Sequence, residues 1–188
     1  MTPVFDKTWT LFLDRDGVIN VKPLVDYVKC WEEFNFAPGA LEAIKKLSGI
    51  FGKIIVVTNQ QGIGKGLYTA AELEYIHSNM LEKINESGGR IDSIYYCPDL
   101  AVYNPPCRKP NTGMAYRAKE DYPQIDFKKA VMVGDSISDM EFGKELGMYL
   151  VFVSENISIL PPSLHVDRVV LSLRDFAEFN VSTTTFTP

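Results

Sequence analysis

Short apolar runs alternate along the chain with stretches that carry helix signals. The runs are rich in β-branched and aromatic residues, as is typical of buried strands. They predict strands at residues 10–13, 54–57, 94–96, 130–133 and 150–153. Capping residues and helical periodicity predict helices at residues 40–47, 69–84, 112–120 and 139–146. Strands and helices therefore alternate through most of the sequence.

This alternation predicts an α/β fold, a doubly wound Rossmann-like three-layer sandwich with a central parallel sheet. A length of 188 residues fits one domain, which we expect to span residues 1–180. No internal repeat or interdomain linker interrupts it. The segment 181–188 is rich in Ser and Thr, and we expect it to form a flexible tail.

The composition is that of an ordinary globular protein, and the net charge of −5 argues against a nucleic-acid partner. An acidic protein can still bind a small phosphorylated metabolite if a metal ion or local Lys and Arg residues reverse the sign inside the site. No apolar run approaches the ~20 residues of a membrane span. The sequence therefore predicts no membrane partner and a cytoplasmic location. It carries no signal for oligomeric state and is compatible with a monomer.

The chain has three cysteines, Cys30, Cys97 and Cys107. An odd and sparse set differs from the disulfide framework of a small secreted domain. We therefore expect reduced thiols or a metal-binding loop.

Polar side chains follow three of the predicted strands: Asp14 the first, Thr58 the second and Asp135 the fourth. Because carboxyl ends of parallel strands meet at one edge of a sheet, these side chains should converge on one site. A carboxylate at a strand end is well placed to attack phosphorus, and a second carboxylate two residues later can transfer protons. Asp14 and Asp16 have this spacing.

Gly17 would let the chain turn sharply, so that the amides of Arg15 and Asp16 face phosphate oxygens. An isolated Asp-x-Asp-Gly segment is also a common turn sequence, so its context must decide. The hydroxyl of Thr58 and the groups of Asn59 and Gln60 could hold a transferring phosphoryl group. Alone, that segment could equally be a helix cap.

Lys109 would supply a cation that offsets phosphate charge, and Arg108 could fork onto substrate oxygens. An exposed Arg-Lys pair can also be merely solvated. Asp135 would complete an oxygen shell for Mg²⁺ together with Asp14 and the main-chain carbonyl of Asp16. Asp139 is expected to orient Lys109 or a metal-bound water.

Together these segments resemble the four motifs of the haloacid dehalogenase (HAD) superfamily of phosphatases, in order, across roughly residues 11–147. The resemblance implies that Asp14 is the nucleophile and Asp16 the general acid and base. It also implies that Thr58 and Lys109 stabilise the phosphoryl group and that Asp135 is a ligand of Mg²⁺.

Within that superfamily the chain resembles the heptose 1,7-bisphosphate phosphatase and histidinol phosphate phosphatase group. The segments that carry this resemblance are residues 12–20 (FLDRDGVIN), 57–60 (VTNQ), 95–98 (YYCP) and 107–110 (CRKP). The group lacks a large cap domain and acts on small phosphorylated sugars or amino alcohols. The short separation of Gly17 and Thr58 leaves no room for a cap between them.

The chain departs from the group at a zinc loop, where the expected ligand positions read Cys97, Asp99, Pro105 and Cys107. Structural zinc requires four tetrahedral ligands, and proline has no ligand atom in its side chain. The sequence therefore predicts no structural Zn²⁺. Instead, prolines would hold a shortened loop, with Cys97 and Cys107 as packed or free thiols left over from the zinc loop.

Other candidate residues lie outside the four motifs. Lys65 lies in a glycine-rich segment that in the group lies beside the substrate, where Arg is frequent. We expect Tyr27 near the substrate, whereas His77 and His165 lack metal-ligand spacing and are expected to be structural.

These observations predict a Mg²⁺-dependent phosphomonoesterase that acts through an aspartyl phosphate. The preferred substrate is a sugar phosphate such as D-glycero-D-manno-heptose 1,7-bisphosphate. The alternatives are histidinol phosphate or another small ester, and a phosphate-binding protein that kept the fold without activity.

Overall fold

The computed structural model describes residues 3–23 and 27–184, and within this part six strands form one parallel sheet. The strand order is β3-β2-β1-β4-β5-β6. This is a doubly wound order: β2 and β3 lie on one side of β1, and β4, β5 and β6 lie on the other. The strand order therefore reverses between β1 and β4. The strands are β1 (Thr10–Leu13), β2 (Lys53–Asn59), β3 (Ser93–Cys97), β4 (Ala130–Gly134), β5 (Tyr149–Val153) and β6 (Arg168–Val170).

Helices cover both faces of the sheet, and local capping explains where two of them begin. Thr69 and Glu72 form a capping box before α2, and Ser136 and Asp139 form another before α4. The second box starts α4 two residues earlier than the sequence predicted. The helices are α1 (Ala40–Ile50), α2 (Ala70–Glu86), α3 (Gly113–Asp121), α4 (Ile137–Leu146) and α5 (Leu173–Thr184).

Alternate residues of each strand enter opposite hydrophobic layers, as the two-residue period of a strand requires. Leu11 and Leu13 pack into the layer that also contains buried residues of α1, α2 and α5. Phe12, between them, packs into the layer built on α3 and α4. All three side chains are fully buried. Burial on both sides explains why the strands read as continuous apolar runs.

The structure confirms the predicted fold class and adds two elements that the pattern did not predict. β6 contains three residues, too few to show a period, and is held by its pairing with β5. It leads into α5, which packs against α1. Helix α5 includes residues 181–184 of the predicted tail, whereas residues 185–188 lie outside the described part of the chain.

The connection between β1 and α1 spans residues 14–39. Its described residues contain one short 3-10 helix, Trp31–Glu33, and bridges from Asn20 to Asp16 and to Phe36. This connection holds no cap domain in its described residues. Among the described helices, none has the length and apolar character needed to cross a membrane.

We expect Phe176→Ala to lower the free energy of unfolding by about 3–5 kcal/mol, because it leaves a cavity between α5 and the sheet. Phe176 is fully buried and packs near the rings of Phe5 and Phe51. Urea denaturation would measure the change. The control Leu171→Ala removes an exposed side chain and should change stability by less than about 0.5 kcal/mol. Equal effects would contradict the packing of α5 described here.

Candidate active site at the carboxyl edge of the sheet

The candidate site lies where β1 and β4 end side by side. Leu13 pairs with Val133, and the amide of Asp14 donates to the carbonyl of Val133 at 2.9 Å. Asp14 and Asp135 therefore follow the ends of adjacent strands, with Asp14 level with Gly134 and Asp135 one residue beyond it. Thr58, near the end of β2, reaches the same edge from the other side of β1. The predicted convergence of three strand ends is present.

A cavity of about 260 Å³ opens at this edge. Residues from several separate segments form its walls, and most of them are polar or charged. Its lining residues are Asp14, Asp16, Lys22, Pro23, Tyr27, Thr58, Asn59, Arg108, Lys109, Ser136 and Ser138.

Lys109 is the central cation of the site, and only 2% of its side chain is exposed. Its ammonium group lies 2.9 Å from the carboxylate of Asp14, contacts Asp139 and donates to the carbonyl of Val57 at 2.7 Å. Burial acts to lower the pKa of Lys109, but Asp139 and Asp14 outweigh it and raise that pKa. Lys109 is therefore charged and directed at the carboxylate of Asp14.

Three carboxylates crowd this cation: ligand oxygens of Asp14, Asp135 and Asp139 lie within 4.8 Å of one another. Burial, followed by repulsion from Asp139, raises the pKa of Asp14 to about 7, although Lys109 opposes the change. Burial also raises the pKa of Asp135. Clustered carboxylate oxygens with excess negative charge fit a hard divalent cation such as Mg²⁺. The side chain of Asp16 is not part of this cluster.

Lys22 provides a second cation at the mouth of the cavity. Its ammonium group lies 2.7 Å and 3.0 Å from the two carboxylate oxygens of Asp135. About half of the Lys22 side chain is exposed, so the pair is screened by solvent. The ammonium group of Lys22 can therefore leave Asp135 and bind another anion at the rim of the cavity.

Gly17 lets the chain after β1 pass directly against Asp135. Its φ is +87°, in the left-handed region, and a Cβ atom at this position would overlap the carboxylate of Asp135. A side chain would thus be strained in its backbone and would displace a candidate metal ligand.

Asp16 points toward a buried polar network. Both of its oxygens accept from Arg15, at 2.9 and 3.1 Å; Asn20 donates to one at 3.0 Å and Gln60 to the other at 2.8 Å. Burial acts to raise the pKa of Asp16, but Arg15 and the hydrogen bonds outweigh it and lower that pKa. Arg15 also contacts His77.

The predicted substrate-binding residues occupy different places. Arg108 lines the cavity, whereas the side chains of Arg15 and Gln60 lie behind Asp16 and are almost fully buried. Asn59 lines the cavity but exchanges two hydrogen bonds, of 3.0 and 3.1 Å, with the main chain of Lys109. Lys65 donates to the hydroxyl of Tyr27 at 2.9 Å rather than lining the cavity itself.

The sequence patterns did not indicate a role in the site for Lys22, Asn20 or Tyr68, and they predicted only a structural role for His77. Lys22 and Asn20 lie in the loop that begins at Asp14, and proximity to that motif was a signal that could have found them. Tyr68 and His77 had no such signal, because they are connected to the site through other residues. Tyr68 binds Gln60, and His77 contacts Arg15.

The expectation of free thiols was wrong for Cys97 and Cys107, which form a disulfide with a Cα–Cα distance of 5.3 Å. Cys97 ends β3, and the loop that follows turns back so that Cys107 returns beside it. This return is a tertiary contact that the cysteine count does not encode. Asp99 lies near both sulfur atoms. Cys30 is a free cysteine.

The sheet order and the strand-end carboxylates together define a HAD-like hydrolase, and comparisons with known proteins agree. The sequence profile of HAD-hydrolase-like proteins matches residues 106–175. The crystal structure of D,D-heptose 1,7-bisphosphate phosphatase from B. bronchiseptica, complexed with magnesium and phosphate, superposes with a TM-score of 0.83 at 30% identity. The match covers 93% of this chain and 99% of that one.

Curated relatives show which family within the HAD-like hydrolases the chain matches. D-glycero-beta-D-manno-heptose-1,7-bisphosphate 7-phosphatase of Pseudomonas aeruginosa is 40% identical over 76% of this chain and 79% of its own length. The alpha-anomer enzyme of Mycobacterium bovis is 41% identical over 71% of this chain and 70% of its own length. The chain belongs to the heptose-1,7-bisphosphate 7-phosphatase family of HAD phosphatases.

We expect Gly17→Ala to weaken Mg²⁺ binding by about tenfold or more, because the new methyl group displaces Asp135. Loss of a group that holds a metal ligand in place typically lowers metal affinity by about 10–100-fold. Calorimetric titration with Mg²⁺ would measure this. The matched control is Gly88→Ala, since Gly88 has a similar φ of +82° but lies after α2, away from the site. An unchanged affinity in Gly17→Ala would show that Asp135 does not bind the metal.

Proposed function

We propose that this phosphatase hydrolyses a sugar bisphosphate of the heptose 1,7-bisphosphate type, using Asp14 as the nucleophile and Mg²⁺ as cofactor. The observation that carries the proposal is the buried contact between Asp14 and Lys109 at the base of a cavity with a cationic rim. Asp14, Asp135 and the main-chain carbonyl of Asp16 would hold Mg²⁺, with Asp139 close by.

In the first step the Asp14 carboxylate attacks phosphorus in line with the departing oxygen. Lys109 and the hydroxyl of Thr58 stabilise charge on the equatorial oxygens, and bound Mg²⁺ would add electrostatic stabilisation of the same charge. Asp16 donates a proton to the leaving alkoxide, and the P–O bond to the sugar breaks as the aspartyl–phosphate bond forms.

In the second step Asp16, now a carboxylate, takes a proton from a water that attacks the aspartyl phosphate. Inorganic phosphate leaves and Asp14 is regenerated. The hydrogen bonds that hold Asp16 as a carboxylate favour this second step. For the first step, Asp16 must exchange some of those bonds for a proton and turn toward the leaving oxygen.

The cationic rim supports a substrate with a second phosphate. Arg108 lines the cavity, and its buried Nη1 atom has no hydrogen-bond partner among the described residues. A buried guanidinium nitrogen without a partner is costly unless an anion supplies one. Lys22 lines the same cavity. A second phosphate would pair with these cations, whereas the ammonium group of histidinol phosphate would be repelled by them.

We expect Asp14→Asn to abolish turnover, by at least about 10³-fold, because the amide is not a nucleophile toward phosphorus. Phosphate release from D-glycero-D-manno-heptose 1,7-bisphosphate, with and without Mg²⁺, would measure this. The variant is nearly isosteric, and thermal melting would verify its fold. Magnesium-dependent turnover that survives in Asp14→Asn would refute the assignment of the nucleophile. Failure of the native protein to hydrolyse this substrate, histidinol phosphate and an aryl phosphate would instead favour a binding protein.

We expect Arg108→Ala to raise KM for the heptose bisphosphate by about 10–100-fold, since charge-assisted hydrogen bonds are worth about 1.5–3 kcal/mol. KM for p-nitrophenyl phosphate, which has no second phosphate, should change much less. Steady-state kinetics on both substrates gives the comparison. The control Arg174→Ala removes an exposed arginine of α5 and should leave both KM values unchanged. Equal losses on the two substrates would place Arg108 on the transferred phosphate and remove the support for a bisphosphate.

A further inference from the structure

A buried histidine lies behind the acid-base residue of the site. His77 belongs to α2, is 6% exposed and does not line the cavity. Its Nε2 atom is 3.2 Å from Nη1 of Arg15. The proposed mechanism does not use this imidazole, so its polar contact requires a separate explanation.

The chemistry of the contact determines the state of the imidazole. A guanidinium group can only donate hydrogen bonds, so Nε2 of His77 must accept and the ring proton must sit on Nδ1. Burial, followed by the charge of Arg15, lowers the pKa of His77 to about 3. The ring is therefore a neutral acceptor that faces a buried cation.

Arg15 links His77 to Asp16. While Nη1 meets His77, Nη2 donates to both carboxylate oxygens of Asp16. Arg15 is 1% exposed, and its Nε atom has no partner among the described residues. Main-chain packing and these two contacts are then what orient the guanidinium plane. Without an acceptor at position 77, the plane could rotate away from Asp16.

The other contacts of Asp16 show what this orientation controls. Asn20 and Gln60 bind separate oxygens of Asp16, and Tyr68 holds Gln60 through a hydrogen bond of 2.6 Å. Arg15 spans both oxygens, so it sets the rotation of the carboxylate about its last torsion. A carboxylate that must alternate between donating and accepting a proton depends on that rotation.

We propose that His77 is a positioning residue for proton transfer: through Arg15 it orients Asp16 relative to the leaving oxygen. This inference rests on the proposed function, in which Asp16 is the general acid. The competing explanation is that His77 only fills space between α2 and the sheet, near the ring of Tyr96.

The two explanations differ in how the activity loss depends on the leaving group. A sugar alkoxide is a poor leaving group and needs a proton from the general acid, whereas p-nitrophenolate leaves without one. General acid-base catalysis contributes about 10²–10⁴-fold. Misorienting Asp16 should therefore lower kcat/KM for the heptose bisphosphate but hardly change kcat/KM for p-nitrophenyl phosphate. The parameter kcat/KM covers the steps up to departure of the leaving group, so it excludes the second step, which both substrates share.

The test compares His77→Leu, which has no acceptor, with His77→Gln, whose amide oxygen can occupy the place of Nε2. We expect His77→Leu to lower kcat/KM for the heptose bisphosphate by about 10–100-fold and kcat/KM for p-nitrophenyl phosphate by less than about threefold. His77→Gln should recover most of the lost activity. Thermal melting of each variant verifies folding, and His77→Gln keeps the test decisive if His77→Leu does not fold.

Equal losses on both substrates, or a His77→Gln variant that behaves like His77→Leu, would overturn the proposal and leave His77 as a packing residue. Asp16→Asn is the benchmark, because its kcat/KM should show the same selective loss on the heptose bisphosphate. If Asp16→Asn lowers kcat/KM equally for both substrates, the general-acid assignment of the proposed function fails, and the fault does not lie with His77.

Discussion

The site depends on one buried contact, the ammonium group of Lys109 between the carboxylates of Asp14 and Asp139. Buried carboxylates repel one another, and without a cation they would be protonated or exposed to water. Lys109 allows them to share one small volume. In the proposed mechanism, the same cation that stabilises Asp14 would face the phosphoryl group that Asp14 attacks.

The groups around Lys109 explain how the side chain of a loop residue is held in one position. Asn59, at the end of β2, exchanges hydrogen bonds with its main chain, and the carbonyl of Val57 accepts from its ammonium group. The disulfide between Cys97 and Cys107 closes the loop that leads to it. This covalent bond joins the end of β3 to the residue before Arg108.

The layer behind the cavity divides the predicted substrate contacts into two groups. Arg108 faces the cavity, whereas Arg15 and Gln60 face Asp16 and belong to a buried network that ends at His77 and Tyr68. The site thus has one set of groups that line the cavity and, behind them, a buried set that contacts Asp16. Catalytic side chains need such support, because an error of about 1 Å in position can cost 10²-fold in rate.

The sequence by itself determined the fold class, the main strands and helices, and the chemistry of the strand ends. It could do so because two-sided burial makes parallel strands read as apolar runs, and because the residues at their carboxyl ends are local to those runs. The placement of Asp14, Thr58 and Asp135 at one edge of the sheet was therefore predicted without coordinates. β6 and α5 were not, because a three-residue strand has no measurable period.

Only the tertiary structure decided which way side chains point and which distant residues meet. Arg15 directly follows Asp14 in sequence yet turns away from the cavity, since its partners Asp16 and His77 lie in the interior. Cys107 meets Cys97, and Lys22 meets Asp135, across separations of 10 and 113 residues. Such contacts come from chain reversal and shared burial, which leave no periodic trace in the sequence.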